Sequence, residues 1–445
     1  MSLRGQLQPR EMPAARVMVR ELATFVGRHV RLYGWIAGQR RAKDLRFLSL
    51  RDRGGRVQVV HRQPDLDDAP AESAVCVEGL VAPTPGGRYG DVEVRADSVT
   101  LVAAADPVAP ETLRDPERRL DLRHLDLRDE PGFLSLQVQM TFLAAARAFL
   151  ADRGFLEIHT PKITAGGSES GAAVFHLDYF GEPACLVQSP QFYVQLAMAA
   201  GLDRIFEVGP VFRAEPMETH RHAAEFTSLD VEFSWIEDHH DLMSLEEELL
   251  RYGLRQVQAI HGADIREVFG VQVELPGSPI PRIPYVSAVD IAGEAQPGRG
   301  GRMTYRAEQA ISKYCLDRHG HSFVFVTDYP ADERSFYTMR DGSNPASPFV
   351  ATRSFDLLWR GLEITSGCQR EHRAERLIAQ ALESGLQPEV MSRYLEPYYF
   401  PMFRQGCPPH GGFGLGLNRL MMALLGRQSI REAGFVFRGP GRFRP

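Results

Sequence analysis

Three arginines, a histidine and two carboxylates stand out in this 445-residue chain as side chains suited to chemistry on a polyphosphate. Arg213 closes an apolar run at 206–212, and Arg221 and His222 lie in the charged stretch before a second apolar run at 226–233. Two strands joined by such a loop place one arginine at a strand end and two basic residues in the connection, a clamp for phosphate oxygens. The same pattern fits an ordinary surface hairpin with solvated charges. Further on, 406–420 reads as a glycine-rich strand running into a helix, with Arg419 just inside the helix start. Glycine lets backbone approach a ligand, and the helix end adds positive potential. Tight strand-to-helix packing alone also demands small residues. Asp356 and Glu363 share one strand segment with Ser366. A magnesium ion needs one or two carboxylates and leaves its other positions to water and phosphate. An exposed strand with routine charges reads the same way.

The elements that must hold these residues are visible as periodicities. Residues 134–156 carry Phe142, Leu143, Ala146, Phe149 and Leu150 on one helical face, with Gly154 as C-cap and Pro161 ending a following strand. Residues 30–43, 46–60, 75–80 and 91–102 alternate and turn as about five strands, the count of an OB barrel. Between the two units the proline-punctuated, highly charged stretch 106–128 reads as a hinge, compatible with a solvated linker.

Composition agrees with two or three domains: 44% of residues are hydrophobic, ample for sizeable cores. No stretch reads as transmembrane and the N-terminus lacks the apolar run of a signal peptide, so the expectation is a cytoplasmic protein with no membrane partner. Five dispersed cysteines without a Cys-x-x-Cys pair argue against a disulfide framework or a zinc ribbon. His239 and His240 sit in an acidic turn without matched ligand spacing and read as surface histidines. A net charge of −6 excludes general nucleic-acid binding and leaves room only for a local basic patch.

Taken together, the hairpin at 206–233 resembles motif 2, the strand and helix at 406–420 motif 3, and the helix at 134–156 motif 1 of the class II aminoacyl-tRNA synthetases. The tags Gln188-Ser-Pro-Gln191, Ser228-Leu-Asp230-Val-Glu232, Gly361-Leu-Glu363-Ile-Thr-Ser366-Gly and Pro408-Pro-His410-Gly-Gly412 are most similar to the class IIb aspartyl-tRNA synthetases of the short archaeal-like type. The resemblance spans roughly residues 17–437. It implies an α+β architecture: an OB-fold anticodon-binding domain at 1–104, a hinge at 105–131, and a catalytic domain at 132–445 built on an antiparallel sheet flanked by helices. It implies ATP-dependent ligation of L-aspartate to tRNA(Asp), with tRNA(Asn) as a further acceptor in some such enzymes, using ATP and Mg²⁺ in a homodimer.

By the same resemblance, Arg213 and Arg419 are the catalytic arginines, and ATP is held by Arg213, Glu215, Arg221, His222, Phe226, Glu363, Gly416 and Arg419. Phe226 is expected to stack on adenine, with Arg419 on the other side. Ser168, Glu169, Gln191, Asp230, Ser366 and Arg370 would bind aspartate, Arg370 through the side-chain carboxylate; Asp356, Glu363 and Ser366 would bind metal; Arg40, Phe47 and Gln58 would read the anticodon. Three positions depart from the family pattern: Val194 where a lysine is usual, Asn418 where an acid is usual, and the C-terminal tail 437–445. They keep a second reading open, a paralogue with a changed amino acid or acceptor, or a non-catalytic tRNA-binding, resistance or regulatory protein.

Overall fold

The structure is a computed structural model that describes residues 17–444 apart from 64, 65, 67, 68, 169–172, 278, 294–302, 343–348 and 387. It divides into two compact units, Met1–Phe133 and Leu134–Pro445. In the first, β1 (His29–Ala42), β2 (Leu45–Asp52), β3 (Gly55–His61), β4 (Ala74–Pro83) and β5 (Val92–Ala103) close into a barrel in the order β1-β2-β3-β5-β4. Alternation drives the closure. Val30, Leu32 and Ile36 of β1 turn inward to meet Leu48, Leu50, Val57, Val59 and Val77, while Arg31 and Tyr33 between them face outward.

The charged hinge is not a solvated linker. It forms three short helical turns, Pro110–Arg114, Pro116–Asp121 and Arg123–Asp126, and Arg123 and Asp126 are buried against each other as an ion pair. Arg119 donates to the same carboxylate at 2.8 Å. Two arginines on one buried aspartate offset the desolvation that an isolated charge would suffer.

The second unit is an eight-stranded sheet. Its strands in chain order are β6 (Leu156–Glu157), β7 (Arg204–Phe212), β8 (Glu225–Ser234), β9 (Arg282–Pro284), β10 (Phe323–Thr327), β11 (Ser354–Trp359), β12 (Leu362–Gln369) and β13 (His410–Gly416), and they lie side by side as β9-β10-β11-β12-β13-β8-β7-β6. The centre is antiparallel; only the outer pairs β9–β10 and β6–β7 are parallel. Five helices matter for the site: α1 (Glu130–Asp152), α2 (Gln191–Ala199), α3 (His239–Phe269), α4 (Tyr305–His319) and α5 (Leu417–Leu424).

Register explains why the functional residues alternate. Asp356, Ser366, Gly414, Asp230 and Glu207 stand opposite one another across β11, β12, β13, β8 and β7, so one row crosses five strands on one face. The next row carries Cys368, Gly412 and Glu232. The opposite face presents Leu229, Val231, Phe413 and Leu415 to the main core, which α1 and α3 complete. Contrary to the sequence expectation, α1 is long and apolar enough to cross a membrane by length and composition alone, but half of its most apolar stretch is buried within the protein. Leu134, Val138, Phe142, Ala146, Phe149 and Leu150 enter the core, and Gly253 of α3 has room for no side chain against the Phe142 ring.

Candidate active site

The face carrying those rows opens into a cavity of about 700 Å³. Its walls include Arg213, Glu215, Arg221, His222, Phe226, Asp230, Asp356, Glu363, Ser366, Arg370, Gly416 and Arg419 from the sequence reading, together with Gln191. Ser168 stands one step behind the wall, its hydroxyl 3.1 Å from that of Ser189, and Glu169 lies outside the described residues.

Each position follows from local structure. The β7–β8 hairpin closes at the pair Phe212–Glu225, and the Arg213 amide bonds to the Ala224 carbonyl at 2.9 Å, which fixes the arginine at the strand end. Its Nε is buried without a hydrogen-bond partner among the described residues, so a donor is held ready for an anion. The guanidinium lies 5.5 Å from the Phe226 ring centre. Arg419 sits in the first turn of α5, and its guanidinium reaches the Arg221 carbonyl at 3.2 Å and Glu363 at 3.2 Å. Glycine is demanded along β13 by its neighbours: a Cβ at Gly412 would overlap the Val231 carbonyl and the Glu232 carboxylate, and one at Gly414 would press on Asp230.

Besides the Arg370–Glu232 pair described below, three carboxylate–arginine pairs line the cavity. Arg419 meets Glu363, Arg221 meets Glu308 at 2.6 Å, and Arg334 meets Asp356 at 2.8 Å. Glu308 and Arg334 are absent from the sequence reading. Glu308 comes from α4, and Arg334 lies in the connection between β10 and β11. Burial, reinforced by the Glu363 charge, pushes Glu308 up to about 7. Burial, then the Arg419 charge, lowers His222 to about 4, so near neutral pH it offers a neutral ring whose Nδ1 is 2.6 Å from the Thr219 hydroxyl. Burial raises Asp230 to about 7, with the Ser228 hydroxyl opposing the shift.

The proposed metal ligands are close together but already engaged. Arg334 bonds the Ser366 hydroxyl at 3.0 Å and pairs with one Asp356 oxygen. The other Asp356 oxygen, Oδ1, is buried with no hydrogen-bond partner among the described residues. An orphaned carboxylate oxygen beside Glu363 is the donor a small hard cation takes, so the residues fit Mg²⁺. Elsewhere, Asp238, His239 and His240 bring ligand atoms within 4.8 Å of one another, and His239 is buried, not a surface histidine. Arg282 donates to His240 Nδ1 at 2.7 Å, which sets a cation where a metal would bind.

At the amino-acid end, Arg370 is fully enclosed and its Nε and Nη2 both reach Glu232 at 3.0 Å, while Nη1 lies 2.7 Å from the Cys368 sulfur. Glu232 also accepts from Gln191 at 3.4 Å. The sequence reading assigned Arg370 to a ligand carboxylate; in the free protein its Nε and Nη2 are held by Glu232 and its Nη1 by the Cys368 sulfur, so a ligand carboxylate would have to share this guanidinium with them. Val194, Tyr337 and Cys368 complete this wall.

In the other unit, Arg40, Phe47 and Gln58 come together on the barrel surface. The Arg40 guanidinium stacks 4.3 Å from the Phe47 ring centre and lies 3.3 Å from the Gln58 side-chain oxygen, and Gln58 bonds Glu93 at 3.1 Å. The C-terminal tail packs Phe437 into the core and accepts the Ala224 amide at the Arg438 carbonyl, 2.8 Å away. It thereby buttresses the strand that follows Arg213.

Comparison with known proteins matches this geometry. The family described as tRNA synthetases class II (D, K and N) covers residues 115–436, and an OB-fold nucleic acid binding domain covers 30–102. An aspartate–tRNA(Asp/Asn) ligase of Aeropyrum pernix is 38% identical over 95% of this chain and 97% of its own length. An aspartate–tRNA(Asp) ligase of Thermococcus kodakarensis is 36% identical over 91% and 94%. The solved asparaginyl-tRNA synthetase of Pyrococcus horikoshii, complexed with asparaginyl-adenylate, superposes with a TM-score of 0.87 at 31% identity, covering 97% of this chain and all of that one. A hairpin ending in Arg213, a glycine-rich strand with its helix-start arginine and an N-terminal OB barrel, matched over nearly the whole length, place this chain in the class II tRNA synthetase family of the D, K and N group.

Proposed function

We propose that this chain ligates L-aspartate to tRNA(Asp) through an aspartyl-adenylate, at the expense of ATP, and that tRNA(Asn) is a second acceptor. The observation that carries the reading is the presence in one cavity of an Arg213 Nε with no partner among the described residues and of the buried Arg370 guanidinium, a cation suited to a side-chain carboxylate. The aspartate α-carboxylate attacks the α-phosphorus in line, and pyrophosphate leaves; catalysis is alignment and charge neutralisation. Arg213 takes the α-phosphate, Arg419, Arg221 and His222 the tail, and Phe226 the adenine with Glu215 and Gly416 beside it. Asp230 receives the α-ammonium, whose charge draws its carboxyl back into the ionised form. Ser168, Glu169 and Gln191 close the amino-acid end. Asp356, Glu363 and Ser366 would hold Mg²⁺, which when bound neutralises charge on the phosphate tail. The terminal adenosine hydroxyl of tRNA then attacks the adenylate carbonyl. We infer a cytoplasmic homodimer with Arg40, Phe47 and Gln58 on the anticodon.

Val194 and the Glu232–Arg370 pair favour one alternative, a paralogue that activates a different amino acid. ATP–pyrophosphate exchange across all amino acids tests both. Exchange dependent on aspartate and Mg²⁺, and lost in Arg213→Ala without loss of folding, is the expected result; preference for another amino acid, or none, removes the aspartyl assignment.

A further inference from the structure

We propose that Arg334 is the resident cation of the metal site and sets its affinity for divalent ions, an inference that rests on the metal assignment above. Arg334 bridges two of the three side chains assigned to the metal, lying 2.8 Å from Asp356 Oδ2 and 3.0 Å from the Ser366 hydroxyl. Its guanidinium is further fixed over the Tyr329 ring, 3.7 Å from its centre. The side chain is only 15% exposed, so this charge is weakly screened. The Asp356 carboxylate is thus divided, Oδ2 to the arginine and Oδ1 to no group among the described residues. A divalent ion arriving at Oδ1 meets a full positive charge on the far side of the same carboxylate, and the repulsion between them weakens binding in the nucleotide-free protein. ATP phosphates reverse this balance, because they supply negative charge that Arg334 and the ion share. Metal therefore enters with nucleotide, and without it Arg334 neutralises Asp356 through Oδ2 while Oδ1 makes no hydrogen bond among the described residues.

The test is Mn²⁺ binding to the full chain, measured by electron paramagnetic resonance without ATP. Arg334→Gln keeps hydrogen-bonding atoms beside Ser366 while removing the charge, and is expected to tighten Mn²⁺ on the order of tenfold or more. Arg334→Lys keeps the charge while giving up the planar fork, and is expected to bind Mn²⁺ much closer to the parent than Arg334→Gln does; it also serves if the glutamine variant fails to fold. Tightening in Arg334→Gln that is abolished by adding Asp356→Asn supports the proposal. An unchanged or weaker affinity in Arg334→Gln, or a lysine variant that binds Mn²⁺ as tightly as Arg334→Gln does, overturns it. Tightening that survives Asp356→Asn puts the ion elsewhere and sinks the metal assignment itself, whereas loss of the Arg334 effect with exchange activity intact sinks the arginine's role alone.

Discussion

Val194 is expected to bear on amino-acid choice. It is 2% exposed and shares the cavity wall with Asp230 and Glu232, and the cation at that end, Arg370, is already held by Glu232. A substrate side-chain carboxylate therefore meets one half-committed guanidinium. A lysine at 194 would enter a wall that also carries the carboxylates of Asp230 and Glu232, and it needs one of them or the substrate as partner to avoid the penalty of an unpaired buried charge. Val194→Lys is expected to lower the Michaelis constant for aspartate severalfold, since a charge-assisted contact contributes about 1.5–3 kcal/mol before desolvation is subtracted. Asparagine, with a neutral amide, should gain little. Steady-state exchange kinetics on both amino acids decide it: a well-folded Val194→Lys that helps neither means that the pocket has been rebuilt for another substrate.

At the scale of elements, α3 carries a buried acid behind the site. Glu246 has no exposed surface, and neither of its oxygens has a hydrogen-bond partner among the described residues. Burial raises its pKa to about 8 from an ordinary 4.5, with the neighbouring Thr365 hydroxyl opposing in part. The folded protein thus keeps a proton that the unfolded chain releases between those values. Its contribution to stability is full below pH 4.5 and is lost as pH rises toward 8. Glu246→Gln cannot ionise, so denaturant midpoints should show the variant gaining on the parent through that window, by on the order of 2–4 kcal/mol at its upper end. A constant difference across pH would mean that Glu246 does not titrate with folding. The elements that frame this acid differ in how far sequence announces them. The helical face of α1 and the alternation of β1 were legible, because period alone sorts their residues. The Glu232–Arg370 clasp was not: its members are 138 residues apart, and they meet only because β13 sits between β8 and β12 in one particular register. The Arg334–Asp356 pair was hidden for a related reason, since a residue outside any strand reaches a carboxylate on β11. Motif tags named the phosphate clamp; the internal partners that hold each arginine in the free protein required the sheet order.

For the whole molecule, the question is whether two compact units divide two tasks. The barrel keeps its own closed core of Leu32, Leu48, Val59 and Val77, and the adenylate cavity is lined only by residues of the second unit. Phe47 is half-buried on the barrel surface with Arg40 on one ring face, so truncating it removes a stacking platform and little of the core. Phe47→Ala should therefore leave aspartate-dependent exchange unchanged while weakening tRNA binding, since stacking of one base contributes roughly 1–3 kcal/mol. Arg40 complicates the reading usefully. It sits on the ring in the free protein and donates to Gln58, so a base must take the open face or displace it. Arg40→Ala frees that face but removes a phosphate-pairing charge, and its effect should shrink as salt rises, whereas the effect of Phe47→Ala should not. Affinity for tRNA(Asp) transcripts at two salt concentrations, beside exchange rates for each variant, separates the cases. A Phe47→Ala protein with unchanged tRNA affinity would show that the barrel does not read the anticodon, and one with reduced exchange would show that the two units do not work apart.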